Sequence, residues 1–221
     1  MTIDFANVER MISLAREQVG YREGKTNGSW NNHQKYSPEV PGLEWSQNQA
    51  WCSTFVSWLA LQSGLSDYYP RTASTDAGAL WFKQRKQWSE TPQIGAWGFL
   101  GTRGDMYHVF LVVGVDATYV YTIEGNTNAN GSSQGDGVYA NKRLRNSPSI
   151  EGYGIPKVPA KQAVKEKPTK KTPLSKRQEP LVKEAIDNFR QIRRESKANK
   201  NLQRANKAQK QINEIKANWK K

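Results

Sequence analysis

Cys52 is the single cysteine of the chain, which also holds only two histidines, His33 and His108. A lone cysteine cannot form an intramolecular disulfide, but a thiol paired with an imidazole can attack a carbonyl carbon. Residues 51–58 form an apolar segment typical of the first turns of a buried helix. This placement suits a nucleophile, because a helix N-terminus favours the thiolate, and it equally suits a small buried side chain.

The two histidines differ in their surroundings. His33 lies in a polar loop of Asn and Gln residues, which is typical of a solvated side chain. His108 opens a segment of β-branched and aromatic residues that predicts a strand, and a second such segment ends at Glu124. His108 is therefore the expected partner of Cys52.

The turn between these two strands decides what lies next to His108. A three-residue turn pairs Val115 with Tyr119, and the register then sets His108 opposite Asn126. Glu124 becomes a diagonal neighbour of His108 on the same face, at roughly 7–8 Å between backbone positions, which long side chains can bridge. Either Glu124 or Asn126 could then orient the imidazole. A register shifted by one would put His108 and Glu124 on opposite faces.

These residue types predict nucleophilic catalysis on an amide. An adjacent imidazolium and the helix N-terminus both favour the thiolate of Cys52. Glu124 or Asn126 would hold the ring of His108 and fix which nitrogen faces the sulfur. Attack on an amide carbonyl would give an acyl-thioester, with His108 protonating the leaving amine and the backbone N–H of Cys52 among the oxyanion donors.

Hydrophobic periodicity predicts the elements that position these groups. Three helices are expected first, and antiparallel strands bounded by Gly, Asp and Asn follow them. This order indicates an α+β domain whose N-terminal helices pack on an antiparallel sheet. Cys52 falls in the first turn of the second helix. The predicted helices cover about residues 5–19, 48–63 and 75–85, and the predicted strands cover 94–100, 108–115, 119–124 and 138–144.

Charge divides the chain into two unlike parts. Residues 1–156 carry 13 basic and 14 acidic side chains, a net charge of −1, whereas residues 157–221 carry 20 and 6, a net charge of +14. Residues 1–156 are predicted to form the catalytic domain. Residues 157–178 are rich in Pro and Lys and predict an extended linker, and residues 179–221 have the composition of a basic amphipathic helical tail.

The basic tail, residues 179–221, has a thin apolar seam in which Ala198, Ala205, Ile212 and Trp219 recur every seven residues. Its simplest interpretation is a solvated, partly formed helix. A second is a cationic segment that binds anionic wall polymers or a membrane surface, and a third is self-association through the seam. Nucleic acid is not expected as a partner, because no base-reading motif accompanies the charge.

The sequence has no run of about 18 apolar residues and no basic N-terminal region followed by an apolar stretch. We therefore expect a protein that is made in the cytoplasm without an export signal and reaches an outside target only after release. One cysteine and two separated histidines do not form a zinc-ligand cluster. No metal or other cofactor is expected.

The order Cys, His, Glu, Asn, with the cysteine opening a helix and the others on later strands, resembles the CHAP family (cysteine, histidine-dependent amidohydrolases/peptidases) of the NlpC/P60 and papain-like group. By this resemblance Cys52 is the nucleophile, His108 is the base and Glu124 is the third member. Asn126 is a helper or the alternative orienter. The motifs that carry the resemblance are Gly20-Tyr21-Arg22-Glu23-Gly24, Trp51-Cys52-Ser53-Thr54-Phe55-Val56-Ser57-Trp58, His108-Val109-Phe110-Leu111-Val112-Val113-Gly114, Ile123-Glu124-Gly125-Asn126-Thr127-Asn128 and Gly152-Tyr153-Gly154-Ile155-Pro156.

The resemblance covers about residues 5–156 and has two departures from the family pattern. The family usually has Gly-Asp before the strand of the histidine, where this chain has Gly95-Ala96; that Asp is generally structural. Some members bind calcium through alternating Asp residues just before the cysteine. Residues 45–49 hold no carboxylate, so no calcium site is expected there.

The resemblance implies peptidoglycan as the substrate. The bond that is cut would be the amide between muramic acid and L-alanine, or one within the peptide stem or cross-bridge. A single catalytic domain with a short C-terminal attachment looks like a phage endolysin, made in the infected cytoplasm and released to the wall at lysis.

Four aromatic residues are expected to contact the substrate, because a polar loop with large aromatic side chains can line a groove for glycan or peptide. The alternative function is a catalytically inactive wall-binding module that adheres through the basic tail. The complete Cys, His and Glu set favours the enzyme, since a binding module has no need of all three. The expected substrate contacts are Trp30, Tyr36, Trp45 and Trp51.

Overall fold

The computed structural model describes residues 5–158 of the chain. The predicted linker, beyond its first two residues, and the predicted basic tail lie outside this range. Within it, three α-helices and a six-stranded antiparallel sheet confirm the α+β class. The helices are α1 (Phe5–Gln18), α2 (Cys52–Gln62) and α3 (Thr75–Gln84), with short 3-10 helices at Ser37–Glu39 and Glu44–Ser46.

The strands follow α3, apart from one small hairpin before α2. The strands are β1 (Lys25–Thr26), β2 (Ser29–Trp30), β3 (Trp88–Ser89), β4 (Trp97–Thr102), β5 (Asp105–Val115), β6 (Tyr119–Thr127), β7 (Gly137–Leu144) and β8 (Ile150–Gly154). Strands β1 and β2 form the small hairpin and pair with each other. The other strands form the main sheet in the order β3, β8, β4, β5, β6, β7, and all neighbouring strands are antiparallel.

Helix α2 is the central helix of the domain. Its first nine residues, 52–60, are all buried, so it is apolar on every side rather than amphipathic. It packs against α1, β5 and β6. The helix stops before Gly64, whose φ of +71° is a conformation that glycine adopts without strain. A fully surrounded helix has little freedom to shift, so its first turn is held firmly against the sheet.

The sheet has an apolar cluster on each side. The larger cluster contains buried residues of the three helices together with Val109, Leu111 and Ile123 of the central strands. The smaller cluster includes Phe110 and Val120, which alternate with them along β5 and β6. Both faces of the central strands are therefore buried, and polar side chains between them need partners within the protein.

Two predicted boundaries are wrong because of residues with positive φ. Helix α2 begins at Cys52 rather than near Asn48, which has φ +62° and cannot start a right-handed helix. Strand β4 begins at Trp97 rather than Ile94, because Gly95 has φ +89° and breaks the extended conformation. Strands β3 and β8 and the β1–β2 hairpin were not predicted, since they are short or rich in glycine.

No helix among residues 5–158 is long and apolar enough to cross a membrane.

Candidate active site

Cys52 is the first residue of α2, with only 4% of its surface exposed. The residue before it, Trp51, is fully buried and donates its indole N–H to Oε2 of Glu23 at 2.7 Å. As the first helical residue, Cys52 has a backbone N–H without a partner inside the helix. The sulfur is thus placed where the N-terminal backbone of α2 favours a negative charge.

His108 and Glu124 lie together beneath the surface. Nε2 of His108 is 2.9 Å from Oε2 of Glu124, and both side chains are 0% exposed. A carboxylate can only accept, so Nε2 carries the hydrogen and Nδ1 is left to exchange a proton with the thiol. Nδ1 has no nitrogen or oxygen partner within the described residues.

The predicted strand register is wrong at the turn and correct near the site. Val115 pairs with Val120 rather than Tyr119. A bulge between Val112 and Gly114 then absorbs the extra residue, and Val112 pairs with Thr122 as a three-residue turn without a bulge would require. Without that bulge, every side chain further along β5 would point to the other face.

Gly125 explains how α2 can approach β6 so closely. A Cβ at this position would lie 2.7 Å from both Cβ of Phe55 and the ring of Trp51, closer than real Cβ atoms come. Glycine between Glu124 and Asn126 therefore lets the first turns of α2 pack directly on the strand that carries Glu124.

The Cys52 thiol is acidified by its neighbours. Burial alone would raise its pKa, but the neighbouring imidazole of His108 and the backbone N–H groups of Val109 and Ser53 outweigh burial, so the pKa is lowered. His108 responds in the opposite direction. Burial would lower its pKa, yet the neighbouring thiol of Cys52 and the carboxylate of Glu124 raise it to about 9.

Glu124 remains ionised in its buried position. Burial would raise its pKa, but hydrogen bonds from His108 and Arg143 lower it to about 2. The ionised carboxylate of Glu124 therefore lies between the imidazole of His108 and the guanidinium of Arg143, and this charge row ends at the acidified thiol of Cys52. Alternation lets each buried charge be compensated by the next.

Arg143 is a member of the site that the sequence did not reveal. It donates from Nε to Oε1 of Glu124 at 2.9 Å and from Nη2 to Oε2, and its Nη2 also reaches the carbonyl of Gly131 at 3.1 Å. Thr122 donates its hydroxyl to the same Oε1. Arg143 pairs with Val120 across β6 and β7, whereas Tyr139 is the residue opposite Glu124, so the long side chain of Arg143 reaches Glu124 along the sheet.

Asn126 does not contact the imidazole. Its Nδ2 donates to the carbonyl of Ser133 at 3.3 Å, and its Oδ1 is buried without a partner among the described residues. Its φ of +55° is one that asparagine tolerates better than most residues. Of the two predicted orienters, Glu124 is the one bonded to His108. A catalytic role for Asn126 stays a prediction.

The four predicted substrate contacts fall into two groups. Tyr36 and Trp51 are 0% exposed and stack on each other at 5.5 Å between ring centroids, so the prediction that they touch substrate is wrong. Burial of a large aromatic ring in an apolar core is favourable, which explains why these two rings lie in the core. Trp30 and Trp45 are 43% and 70% exposed, so their contact with substrate stays a prediction.

Three further predictions concern the surroundings of the site. His33 is exposed, as its polar loop indicated. Ala96, at the departure from the family pattern, is 0% exposed and belongs to the smaller apolar cluster, where an aspartate would be costly. Among residues 5–158, no group of three or more His, Cys, Asp or Glu side chains could hold a metal ion.

Comparison with known proteins identifies the domain. Residues 44–126, which include Cys52, His108, Glu124 and Asn126, match the family model of the CHAP domain. This segment is therefore similar to a CHAP domain, and the NlpC/P60 placement is consistent with the fold. CHAP domains are typically cysteine- and histidine-dependent amidohydrolases or peptidases.

The other comparisons cover the curated proteins and the solved structures. None of the curated proteins matches the chain. A solved structure described as "The crystal structure of Ly7917" is similar at 20% identity and a TM-score of 0.40, over 67% of this chain and 62% of that one. The match thus spans less than two thirds of that protein.

Proposed function

We propose that this protein is a peptidoglycan hydrolase that cleaves an amide bond with Cys52 as the nucleophile. The observation that carries the proposal is the contact between the imidazole of His108 and the carboxylate of Glu124, at 2.9 Å, with a thiol of lowered pKa beside them. A structural cysteine in an apolar core would have a raised pKa instead. The CHAP match supports the same chemistry.

The reaction proceeds in two halves. The thiolate of Cys52 attacks the amide carbonyl carbon, the C–N bond breaks, and Nδ1 of His108 gives its proton to the leaving amine. An acyl-thioester remains on the sulfur. Water then attacks it, with His108 as the base, and releases a carboxylate and the free thiolate. Glu124 stays ionised throughout and stabilises the imidazolium that forms in each half.

The developing oxyanion needs hydrogen-bond donors. The backbone N–H of Cys52 is the nearest candidate because it has no partner inside α2. Asn126 is a second, because its buried Nδ2 carries two hydrogens and the carbonyl of Ser133 accepts one of them. We propose the first as an oxyanion donor and the second as a helper.

The nature of the cut bond is tested by its products. Purified walls digested with the full chain are expected to yield one new amine and one new carboxylate per cut, which mass spectrometry of the soluble fragments identifies. A lactyl carboxylate paired with an L-alanine amine indicates an amidase; a new peptide end indicates an endopeptidase. Fragments that carry new reducing sugar ends instead would contradict amide hydrolysis.

We also propose a phage endolysin-like role, with the protein made in the cytoplasm and acting on the wall after release. The net charge of +14 on residues 157–221 supports targeting to an anionic wall polymer or membrane surface. Removal of these residues should weaken wall binding most at low salt. Unchanged binding and salt dependence would contradict the targeting role.

A further inference from the structure

A concave site lies near the proposed catalytic residues. It is an open cavity of about 470 Å³ that is lined by the β1–β2 hairpin region, the loop after β6 and the start of β7. Its volume is in the range of small-molecule sites, about 300–1,000 Å³. Trp30 and Asn32 form one wall, residues 128–130 and 134–136 form the other, and Tyr139 lies between them.

Each wall of the cavity is hydrogen-bonded to a residue next to the proposed catalytic residues. On one side, Glu23 of the cavity accepts a hydrogen bond from the indole of Trp51, which immediately precedes Cys52. On the other side, the backbone N–H of Gly135 donates to the carbonyl of Asn126 at 3.0 Å. A ligand in the cavity would thus lie against structure that also holds the nucleophile and its partners.

The lining is polar but offers no free charge. Glu23 is 6% exposed, and its two oxygens accept from the backbone of Asn32 and the indole of Trp51. Asp136 is paired with Arg22 and also accepts from the hydroxyl of Tyr139. None of the described residues that line the cavity is basic. A ligand with free carboxylates would meet two acidic side chains in the lining, and the nearby Lys25 ammonium lies over the ring of Trp30, 4.0 Å from its centroid.

Amide side chains dominate what remains of the lining. Asn32, Asn130 and Gln134 each carry a donor and an acceptor, which is the pattern that hydroxyl and N-acetyl groups need. Oδ1 of Asn128 accepts from the backbone of Asn130 and Ser132, so this side chain offers its Nδ2 as a donor. Trp30 adds an indole that is 43% exposed, with Lys25 Nζ placed 4.0 Å from its ring centroid. An exposed ring among amides suits a ligand with apolar C–H faces and polar edges.

We infer that this cavity binds the uncharged N-acetylated glycan strand of the substrate, next to the bond that Cys52 cuts. The inference rests on the proposed function and deepens it. Stem peptides carry free carboxylates and are disfavoured by the acidic lining, whereas the sugars of the strand are neutral while their lactyl groups are amide-linked. Glycan in this position favours cleavage between muramic acid and L-alanine.

A binding experiment tests the inference without turnover. The full chain is titrated calorimetrically with a tetramer of N-acetylglucosamine and, separately, with a stem pentapeptide. Trp30→Ala is expected to weaken binding of the tetramer about tenfold, the loss of one aromatic contact, and Trp30→Phe to weaken it less. Binding of the pentapeptide should be weaker than that of the tetramer and unchanged by either substitution.

Tyr121→Ala is the matched control. Tyr121 is 40% exposed and donates its hydroxyl to Asp116, away from the cavity lining, so its loss should leave tetramer binding unchanged. Equal melting temperatures would show that both variants fold. Tetramer binding that is absent, or unaffected by Trp30→Ala, would overturn the glycan site while leaving wall hydrolysis by Cys52 intact.

Discussion

Cys52→Ala is expected to abolish hydrolysis of purified walls, with a loss of ~10⁴-fold or more, the size of effect seen when a catalytic nucleophile is removed. The substitution deletes one sulfur atom and leaves the backbone of α2 in place. Turbidity of wall suspensions measures the loss directly. Wall binding should persist, because neither Trp30 nor the segment 157–221 is changed.

Ser63→Ala provides the control on the same helix. Ser63 follows the last residue of α2, is 3% exposed and has a hydroxyl without a partner among the described residues. Its substitution also removes one buried heavy atom, and activity should stay near that of the unchanged chain. Lysis by the Cys52→Ala variant at the normal rate would exclude Cys52 as the nucleophile and would revive the idea of a wall-binding module.

Glu124→Gln should lower activity by roughly 10²- to 10⁴-fold while keeping the shape of the side chain. The amide can donate to Nε2 of His108, which leaves the hydrogen on Nδ1 and prevents this nitrogen from taking the thiol proton. The guanidinium of Arg143 also loses the carboxylate that compensates it. Rates on purified walls measure the first effect, with exposed Glu90→Gln as the matched control.

The same substitution should reduce stability by about 3–5 kcal/mol, because Arg143 is left as an uncompensated charge with only 15% of its side chain exposed. Combining it with Arg143→Gln removes that charge, so stability should partly return while activity should not. Thermal unfolding of both variants separates the two effects. Full activity in either variant would contradict the charge row.

The pH dependence of stability follows from the pKa of Glu124, which is about 2 in the fold and about 4.3 in an unfolded chain. Its contribution is therefore present above about pH 4.3 and is lost as the pH falls toward 2. The stability difference between the unchanged chain and Glu124→Gln should shrink over that interval.

The sequence predicted that Cys52, His108 and Glu124 lie together because these residue types have distinctive chemistry. One cysteine and two histidines leave few possible Cys-His pairs, and the alternation of side chains along the strands places Glu124 on the same face as His108. The predicted register toward His108 nonetheless agrees with the structure only because a bulge compensates for a longer turn. The sequence between Val112 and Gly114 does not predict that bulge. Register is a property of two strands and the turn together, which one strand's pattern does not specify.

Other features depended on tertiary packing that local patterns do not report. Arg143 reads as one of several exposed cations on β7 until its pairing with β6 is known. The sequence around Tyr36 and Trp51 is typical of residues that line a groove, but both side chains are buried in the core, where their rings stack on each other. Gly125 is typical of a loop glycine in the sequence, whereas in the fold the space that a Cβ would need there is filled by Phe55 and Trp51.

The pH profile of Cys52 alkylation tests the central claim most directly, since the chain has a single thiol and intact mass counts its label. The lowered pKa predicts reaction with iodoacetamide at pH values below the ordinary thiol range near 8.5, with activity lost in proportion to one label per chain. Hydrolysis should also decline above about pH 9, where His108 loses its proton. An ordinary thiol titration, or wall hydrolysis that survives complete alkylation, would contradict the account.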